Sequence, residues 1–264
     1  MGDGGGADLY TALAPIYDDW QSSDGMQPFA LVAADKLAPL LEREARAREA
    51  TGHRFSFLDL GCGTGTLLGA LRQRQPTWRL TGLDVSAAML VVAGRKPSAG
   101  TIGLGRVGLE GPLPFLGTFD AAGAFYDTFN HLPDLAALAR TFTAIAATLR
   151  PGGLLVFDLT NRRGFERWWS GRNDFQGPGW RLSIEARFDG RLDLGQAEVT
   201  ISREGRGGQT QSVRLQERHL PEPEVAEALA TAGFTLERTE GWAPFTHDIE
   251  GKTWWIARSP PKHP

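Results

Sequence analysis

Three glycines separated by single residues, Gly61, Gly63 and Gly65, stand directly after the apolar run Phe55-Ser56-Phe57-Leu58-Asp59-Leu60. Glycine at these positions lets the backbone take positive φ and approach a ligand with no Cβ in the way. The helix predicted from Thr66 to Arg74 then presents its unpaired N–H groups to the same space. Nineteen residues after Gly65, at the end of a second strand-like run from Arg79 to Leu83, comes Asp84. A carboxylate at a strand end accepts two hydrogen bonds from a ribose diol. Alone, such an aspartate reads as the N-cap of the following helix, but with the glycine turn upstream it reads as a ribose ligand. The dinucleotide fingerprint is not met, because its sixth position is Thr66 counted from Gly61 and Leu68 counted from Gly63. A nucleotide-triphosphate loop is excluded as well, since no lysine lies between Lys36 and Lys96. The residues therefore predict a bound nucleoside without a diphosphate.

A second cluster, Phe125-Tyr126-Asp127-Thr128-Phe129-Asn130-His131, follows the strand predicted from Phe119 to Phe125. Open α/β sheets hold the reacting ligand at such carboxyl ends. His131, with an ordinary pKa of ~6.5, suits proton removal near neutrality. Its other reading is a residue at a helix start that contacts cofactor or backbone. Asp127 orients that imidazole, binds a substrate amine, or caps the turn. His219 and His247 read as structural, and His53 and His263 as exposed. No Cys/His or carboxylate set has metal-ligand spacing, so no metal is expected.

The elements that must position these residues follow from hydrophobic periodicity. One or two amphipathic helices are predicted between Leu9 and Leu41, with Arg43 to Arg48 continuing as a charged helical run. Strand and helix then alternate: helix Ser86 to Arg95, a weak third strand near Gly103 to Gly108, helix Leu135 to Leu149, and a fifth strand Leu154 to Leu159. That alternation predicts a parallel sheet covered on both faces. After Thr160 the period changes to two, in Trp180 to Phe188, Gln196 to Arg203 and Gln211 to His219, with turn signals at Asp189-Gly190 and Gly205-Arg206-Gly207-Gly208. A helix from Pro221 to Ala232, ended by Gly233, and two strands, Phe234 to Glu240 and Thr253 to Arg258, close the chain. We divide it into an N-terminal helical lid region (1–54), a cofactor-binding α/β core (55–160), an antiparallel β insertion (161–220), a C-terminal helix and hairpin completing the core (221–258), and a tail (259–264). Both ends are expected to be loose.

The 264 residues suffice for one large domain or one domain with an insertion; 41% are hydrophobic and 22% charged, as in a globular protein with a sizeable core. A net charge of -3 gives nucleic acid or an anionic bilayer no global attraction. Cys62 is the single cysteine and cannot form an intramolecular disulfide, and the first thirty residues hold no signal-type apolar run, which predicts a cytoplasmic protein. The longest apolar stretch, Ala144 to Leu159, is broken at Arg150-Pro151-Gly152-Gly153, so no membrane span is expected.

Asp59-Leu60-Gly61-Cys62-Gly63-Thr64-Gly65, Asp84 and Leu149-Arg150-Pro151-Gly152-Gly153 together resemble the first motif, the acidic second-strand end and the post-helix turn of class I S-adenosylmethionine-dependent methyltransferases. The resemblance covers about residues 55 to 160. It implies a Rossmann-like, doubly wound seven-stranded sheet with its last strand antiparallel, here with the β insertion as a cap. It implies that Asp59 and the turn Gly61, Cys62, Gly63 and Gly65 hold the methionine part of the cofactor, Asp84 the ribose and Met89 one face of the adenine, with Val85 and Phe125 also in the binding set. Many members carry an acid before Leu-Pro-Phe that binds the adenine amine. Here Leu113-Pro114-Phe115 is preceded at the aligned position by Leu109, so either the adjacent Glu110 substitutes, a backbone carbonyl does, or Glu110 is a solvated turn residue. The segment holding Tyr10 and Tyr17 is similar to the one that folds over the cofactor in small-molecule members. The ring faces of Tyr10, Tyr17 and Trp20 suit a sulfonium cation, or pack as an ordinary amphipathic helix.

The expected activity is methyl transfer from S-adenosylmethionine, leaving S-adenosylhomocysteine, to an oxygen or nitrogen of a small molecule. Trp168, Trp169 and Trp180 wall an apolar pocket, and Arg162, Arg163, Arg167 and Arg172 supply an anion contact or a mixed solvated surface. The insertion is a cap over the cleft or a homodimer edge. Competing readings are an RNA or protein methyltransferase, a non-catalytic cofactor-binding module, and a nicotinamide oxidoreductase.

Overall fold

The computed structural model describes residues 5–23, 27–50, 52–204, 210–244 and 250–261. Three helices open the chain: α1 (Gly5–Leu13), α2 (Tyr17–Gln21) and α3 (Phe29–Glu49). The core then alternates β1 (Ser56–Leu60), α4 (Thr66–Arg74), β2 (Arg79–Asp84), α5 (Ala87–Ala93), β3 (Ile102–Arg106), β4 (Phe119–Ala124), α6 (Leu135–Thr148) and β5 (Leu149–Thr160). Helix α7 (Arg162–Trp168) leads into β6 (Ser170–Gly177), β7 (Trp180–Asp189), β8 (Leu194–Arg203) and β9 (Thr210–Arg218). Helix α8 (Glu222–Thr231), β10 (Thr235–Trp242) and β11 (Lys252–Arg258) end it.

Seven strands form one sheet in the order β10-β11-β5-β4-β1-β2-β3, parallel except for β11, which runs against both β5 and β10. β1 and β4 are buried along their whole length, because helices cover both faces and an apolar run is what such a strand requires. One face packs on α6 and α8 through Phe142, Ile145, Val225 and Leu229, the other on α3 and α4 through Ala33, Leu37, Leu68 and Leu71. Asp134 starts α6 by accepting the Ala137 N–H at 2.7 Å, a cap worth about 1 kcal/mol.

The insertion forms its own four-stranded antiparallel sheet, β6-β7-β8-β9. β6 and α7 were absent from the sequence prediction: β6 is mostly exposed and lacks alternation, so period-2 reasoning has nothing to detect. One face of this sheet, with Trp180, Leu182, Val199 and Ile201, packs against Leu9, Leu13 and Ile16 of the N-terminal segment and Met89 of α5. The predicted turn over Gly205 to Gly208 lies outside the described residues, as do His247 and His263. At the amino end helix α1 already begins at Gly5, inside the stretch expected to be loose. Among the described residues no helix is long and apolar enough to cross a membrane.

Candidate functional site

Because β1 and β2 pair in parallel register, with Leu60 opposite Leu83, their carboxyl ends bring the glycine turn and Asp84 side by side. The turn is pinned to β2 by the Gly61 and Cys62 N–H groups, which donate to the Leu83 carbonyl at 2.8 and 3.0 Å. Gly61 has φ +71°, and a Cβ there would fall 2.6 Å from Thr128 Oγ1. Gly63 has φ +54°, and a Cβ there would meet nothing within 4 Å.

The turn opens into a cavity of about 990 Å³. Asp59, Gly61, Cys62, Gly63, Asp84, Val85, Met89 and Phe125 line it, as do Tyr10, Tyr17 and, at the rim, Glu110. Gly65 does not: it serves as the left-handed residue before α4, with its α-carbon face against Ala93. The N-cap of α5 is Ser86, which accepts the Met89 N–H, so Asp84 is not spent on capping. Its oxygens accept the Gly63 and Ser86 N–H groups, each at 2.8 Å, and the residue lines the cavity. Burial pushes the Asp84 carboxyl up, against the pull of these N–H donors. Burial likewise raises the Cys62 thiol, so Cys62 contributes shape and backbone rather than a thiolate. Glu110 is exposed, and the Leu109 carbonyl is taken by Thr141 Oγ1 at 3.0 Å.

Asp59 tests the fit of a cationic amino acid group. Its side chain lines the cavity in a residue 3% exposed, and no hydrogen bond reaches it among the described residues. Burial, with the nearby Asp84 charge adding to it, raises its pKa well above the usual carboxylate range. A buried carboxylate in this state is stabilised by an incoming ammonium, the group that the methionine part of S-adenosylmethionine carries.

The other side of the cavity is built by the end of β4. Tyr126 and Asp127 are consecutive left-handed residues, φ 59° and 64°, a conformation that costs energy and needs support. Support comes from behind. Asp158 on β5 accepts the Tyr126 N–H at 2.9 Å, and Lys252 on β11, 1% exposed, sits between Asp127 and Asp158, 2.7 Å from the latter. The Asp127 carboxylate is thus committed to Lys252 and Thr160 and does not line the cavity, which corrects its expected place beside the reaction. The two carboxylates hold the Lys252 ammonium above its ordinary pKa despite complete burial. This cluster was missed from sequence, since its members lie in the turn after β4, on β5 and on β11 and share no spacing.

His131 does line the cavity, on the short 3-10 turn Thr128–His131. Its Nε2 is 2.8 Å from the Tyr10 hydroxyl and 3.5 Å from Glu217 Oε1. Burial pushes its pKa down to about 4, partly opposed by Asp127, so it is a neutral imidazole near pH 7 and a weaker base than its ordinary value implies. Tyr10 also stacks edge-on with His131 and with Tyr17. Trp20 lies behind, between Tyr17 and Phe175 of β6. The N-terminal helices are pinned over the turn by Asp18, which accepts Thr64 Oγ1 at 2.6 Å and pairs with Lys96 at 2.8 Å.

Other expected residues lie elsewhere. Trp180 is buried between the small sheet and α1, Trp169 packs on Phe165, and neither they nor Trp168 line the cavity. Arg162 pairs with Glu166 and Asp193, and Arg172 with Asp174, as a solvated mixed surface. His219 pairs with Asp193 at 3.0 Å, and His53, only partly exposed, pairs at 3.0 Å with buried Asp120 at the opposite end of the main sheet. Among the described residues no group of three or more His, Cys, Asp and Glu could hold a metal ion.

A parallel sheet of order 3-2-1-4-5 completed by a reversed last strand, with a glycine turn and an acidic second-strand end at one cavity, defines the class I S-adenosylmethionine-dependent methyltransferase fold. Residues 57–153 match the family model of a methyltransferase domain. It is 33% identical over 152 residues to the candidate methyltransferase YqeM of Bacillus subtilis (strain 168), covering 57% of this chain and 55% of that one. The chain spans about half the length of the curated relatives it matches. Two solved structures share the fold over most of both chains. CalS10, an amino pentose methyltransferase of Micromonospora echinaspora solved with S-adenosylmethionine bound, has a TM-score of 0.64 at 24% identity, covering 92% of this chain and 96% of its own. KedS8, a sugar N-methyltransferase of Streptoalloteichus sp ATCC 53650, has a TM-score of 0.66 at 24% identity, covering 91% and 92%.

Proposed function

We propose that this protein transfers a methyl group from S-adenosylmethionine to an oxygen or nitrogen of a small-molecule acceptor, in the cytoplasm. The observation that carries the reading is the convergence on one cavity of Asp59, Asp84 and the glycine turn, which fit an ammonium, a ribose diol and a nucleoside backbone respectively. Asp59 would hold the amino group, Asp84 the ribose hydroxyls and Met89 the adenine face. When bound, S-adenosylmethionine supplies an electrophilic methyl carbon on a sulfonium. The residues of the chain align what attacks it. Tyr10, Tyr17, Phe125 and Tyr126 present aromatic walls suited to a cation, and the docked N-terminal helices exclude water. Alignment alone can supply roughly 7–11 kcal/mol of the barrier. The amino pentose and sugar N-methyltransferase neighbours support a small polar acceptor, and the four-stranded sheet, whose β9 lines the cavity, serves in this reading as its cap.

Titration calorimetry with S-adenosylhomocysteine is expected to give one site with micromolar affinity; no binding at sub-millimolar concentration refutes the reading. His131, neutral and in the wall, is proposed to accept a hydrogen bond in the reaction and to hold Tyr10 in place. His131→Ala is expected to lower turnover about 10- to 100-fold, below the roughly 10²–10⁴-fold of a full general base because the neutral imidazole only accepts a hydrogen bond, with S-adenosylhomocysteine affinity changed less than threefold. Unchanged turnover on an accepted substrate removes His131 from the mechanism.

A further inference from the structure

Glu217 is an acid in the cavity wall whose carboxylate has no hydrogen-bond partner among the described residues. It is on β9, 6% exposed, and lines the cavity next to Tyr10 and His131. Among the described residues no hydrogen bond reaches its carboxylate, and its one ion-pair partner within 4 Å is His131, at 3.5 Å. That partner carries no charge near neutrality, because burial keeps the imidazole proton-free down to about pH 4. The closest buried cation in the cluster, Lys252, is already shared by Asp127 and Asp158. Asp127 and Asp158 thus share the one ammonium, and Glu217 lines the cavity with no ion pair to it within 4 Å among the described residues.

The position of Glu217 is also fixed. Asn130 ties β9 to the core: its amide nitrogen donates to the Arg218 carbonyl at 2.8 Å while its oxygen accepts the Thr160 N–H at 3.0 Å. Leaving a carboxylate buried without a counter-charge is costly, so a cation delivered into the cavity is strongly favoured there, and a carboxylate or phosphate is repelled.

We infer that Glu217 is the residue that selects the methyl acceptor, by receiving a protonated primary or secondary amine against its carboxylate. The inference rests on the methyl-transfer reading and narrows it from oxygen or nitrogen to nitrogen. The amine arrives as its ammonium, which cannot attack carbon. One N–H bond then breaks, its electron pair stays on nitrogen as the free lone pair, and the proton passes to a Glu217 oxygen. Burial, with the Asp127 charge adding to it, raises the proton affinity of that carboxyl and so favours the transfer. Tyr10 and His131 face the same space and keep the freed nitrogen directed into the cavity.

The test is calorimetry on the full chain loaded with S-adenosylhomocysteine, using 3-amino-3-deoxyglucose, glucosamine and cyclohexylamine against glucose and cyclohexanol. The wild type is expected to bind at least one amine tenfold or more tighter than its hydroxyl counterpart. Glu217→Gln is expected to reduce that preference to threefold or less, Glu217→Asp to retain part of it, and neither to change S-adenosylhomocysteine affinity. Because the glutamine variant removes an unpaired buried charge, its melting temperature is expected to be equal or higher. The proposal is overturned if no amine binds the loaded wild type, if the preference survives in Glu217→Gln, or if that variant melts several degrees lower, which marks a structural role. Failure of S-adenosylhomocysteine itself to bind instead overturns the methyl-donor reading, and this proposal falls with it.

Discussion

Gly63→Val is expected to weaken S-adenosylhomocysteine binding at least 100-fold while leaving a folded protein. Gly63 lines the cavity beside Asp84, its N–H donates to that carboxylate at 2.8 Å, and an added Cβ would touch no protein atom within 4 Å. The valine side chain therefore meets no resistance from the fold and occupies space the ligand needs, and the loss corresponds to about 2.7 kcal/mol of binding. A β-branched residue at φ +54° also carries strain of about 1–3 kcal/mol. For a chain of this size that lowers the melting temperature by about 2–12 °C. Gly61→Ala separates the two effects, because its methyl would collide with the Thr128 side chain and the cost falls on stability first. Calorimetry and thermal melts on both variants decide the matter; Gly63→Val with affinity within threefold of wild type removes the turn from the cofactor site.

Lys252→Met is expected to cost about 3–5 kcal/mol of stability, the range seen when one partner of a buried ion cluster is removed. Methionine fills nearly the same volume, so the loss is electrostatic. Asp158, fully buried, and Asp127 would be left facing each other with no ammonium between them. The pH dependence follows from the direction of the Asp158 shift, which burial takes upward and Lys252 opposes. Without the lysine, the folded carboxyl has a higher pKa than the unfolded one. The folded state then binds more protons above the unfolded pKa of about 3.9, and stability falls as pH rises through the folded value. Urea unfolding should accordingly show a smaller loss at pH 5 than at pH 8. Adding Asp158→Asn should recover part of the loss at pH 8, by removing one of the two stranded charges. The left-handed pair Tyr126 and Asp127 depends on this cluster, so the Tyr126 ring and His131 are expected to lose their positions in the cavity wall and turnover to fall with stability. A loss below about 1 kcal/mol at pH 8 would show that the turn holds without the ion cluster.

Much of the proposed cofactor side was legible because its determinants are local. A strand, a turn that only glycine tolerates and a helix lie within residues 56 to 74, and Asp84 ends the strand that pairs with the first. Such features depend on φ and on period, and both can be read from a single stretch of chain. The proposed acceptor side was only partly legible. His131 and Tyr10 were identified singly, but their 2.8 Å contact joins residues 121 positions apart. Glu217 sits in a strand whose alternation predicted only that one face is buried, with nothing to distinguish a buried acid from a surface one.

The amino-acid sequence by itself determined the layered α/β architecture, the glycine turn and the acid after the second strand, since backbone conformation and hydrophobic periodicity depend on near neighbours. Tertiary structure alone decided that Asp127 belongs to a structural ion cluster, that His131 is held neutral, that the tryptophans after β5 pack away from the cavity, and that Glu217 faces it without a counter-charge. These depend on which distant side chains share a low-dielectric interior, and burial and pairing of charge are set by the assembled strands rather than by spacing along the chain.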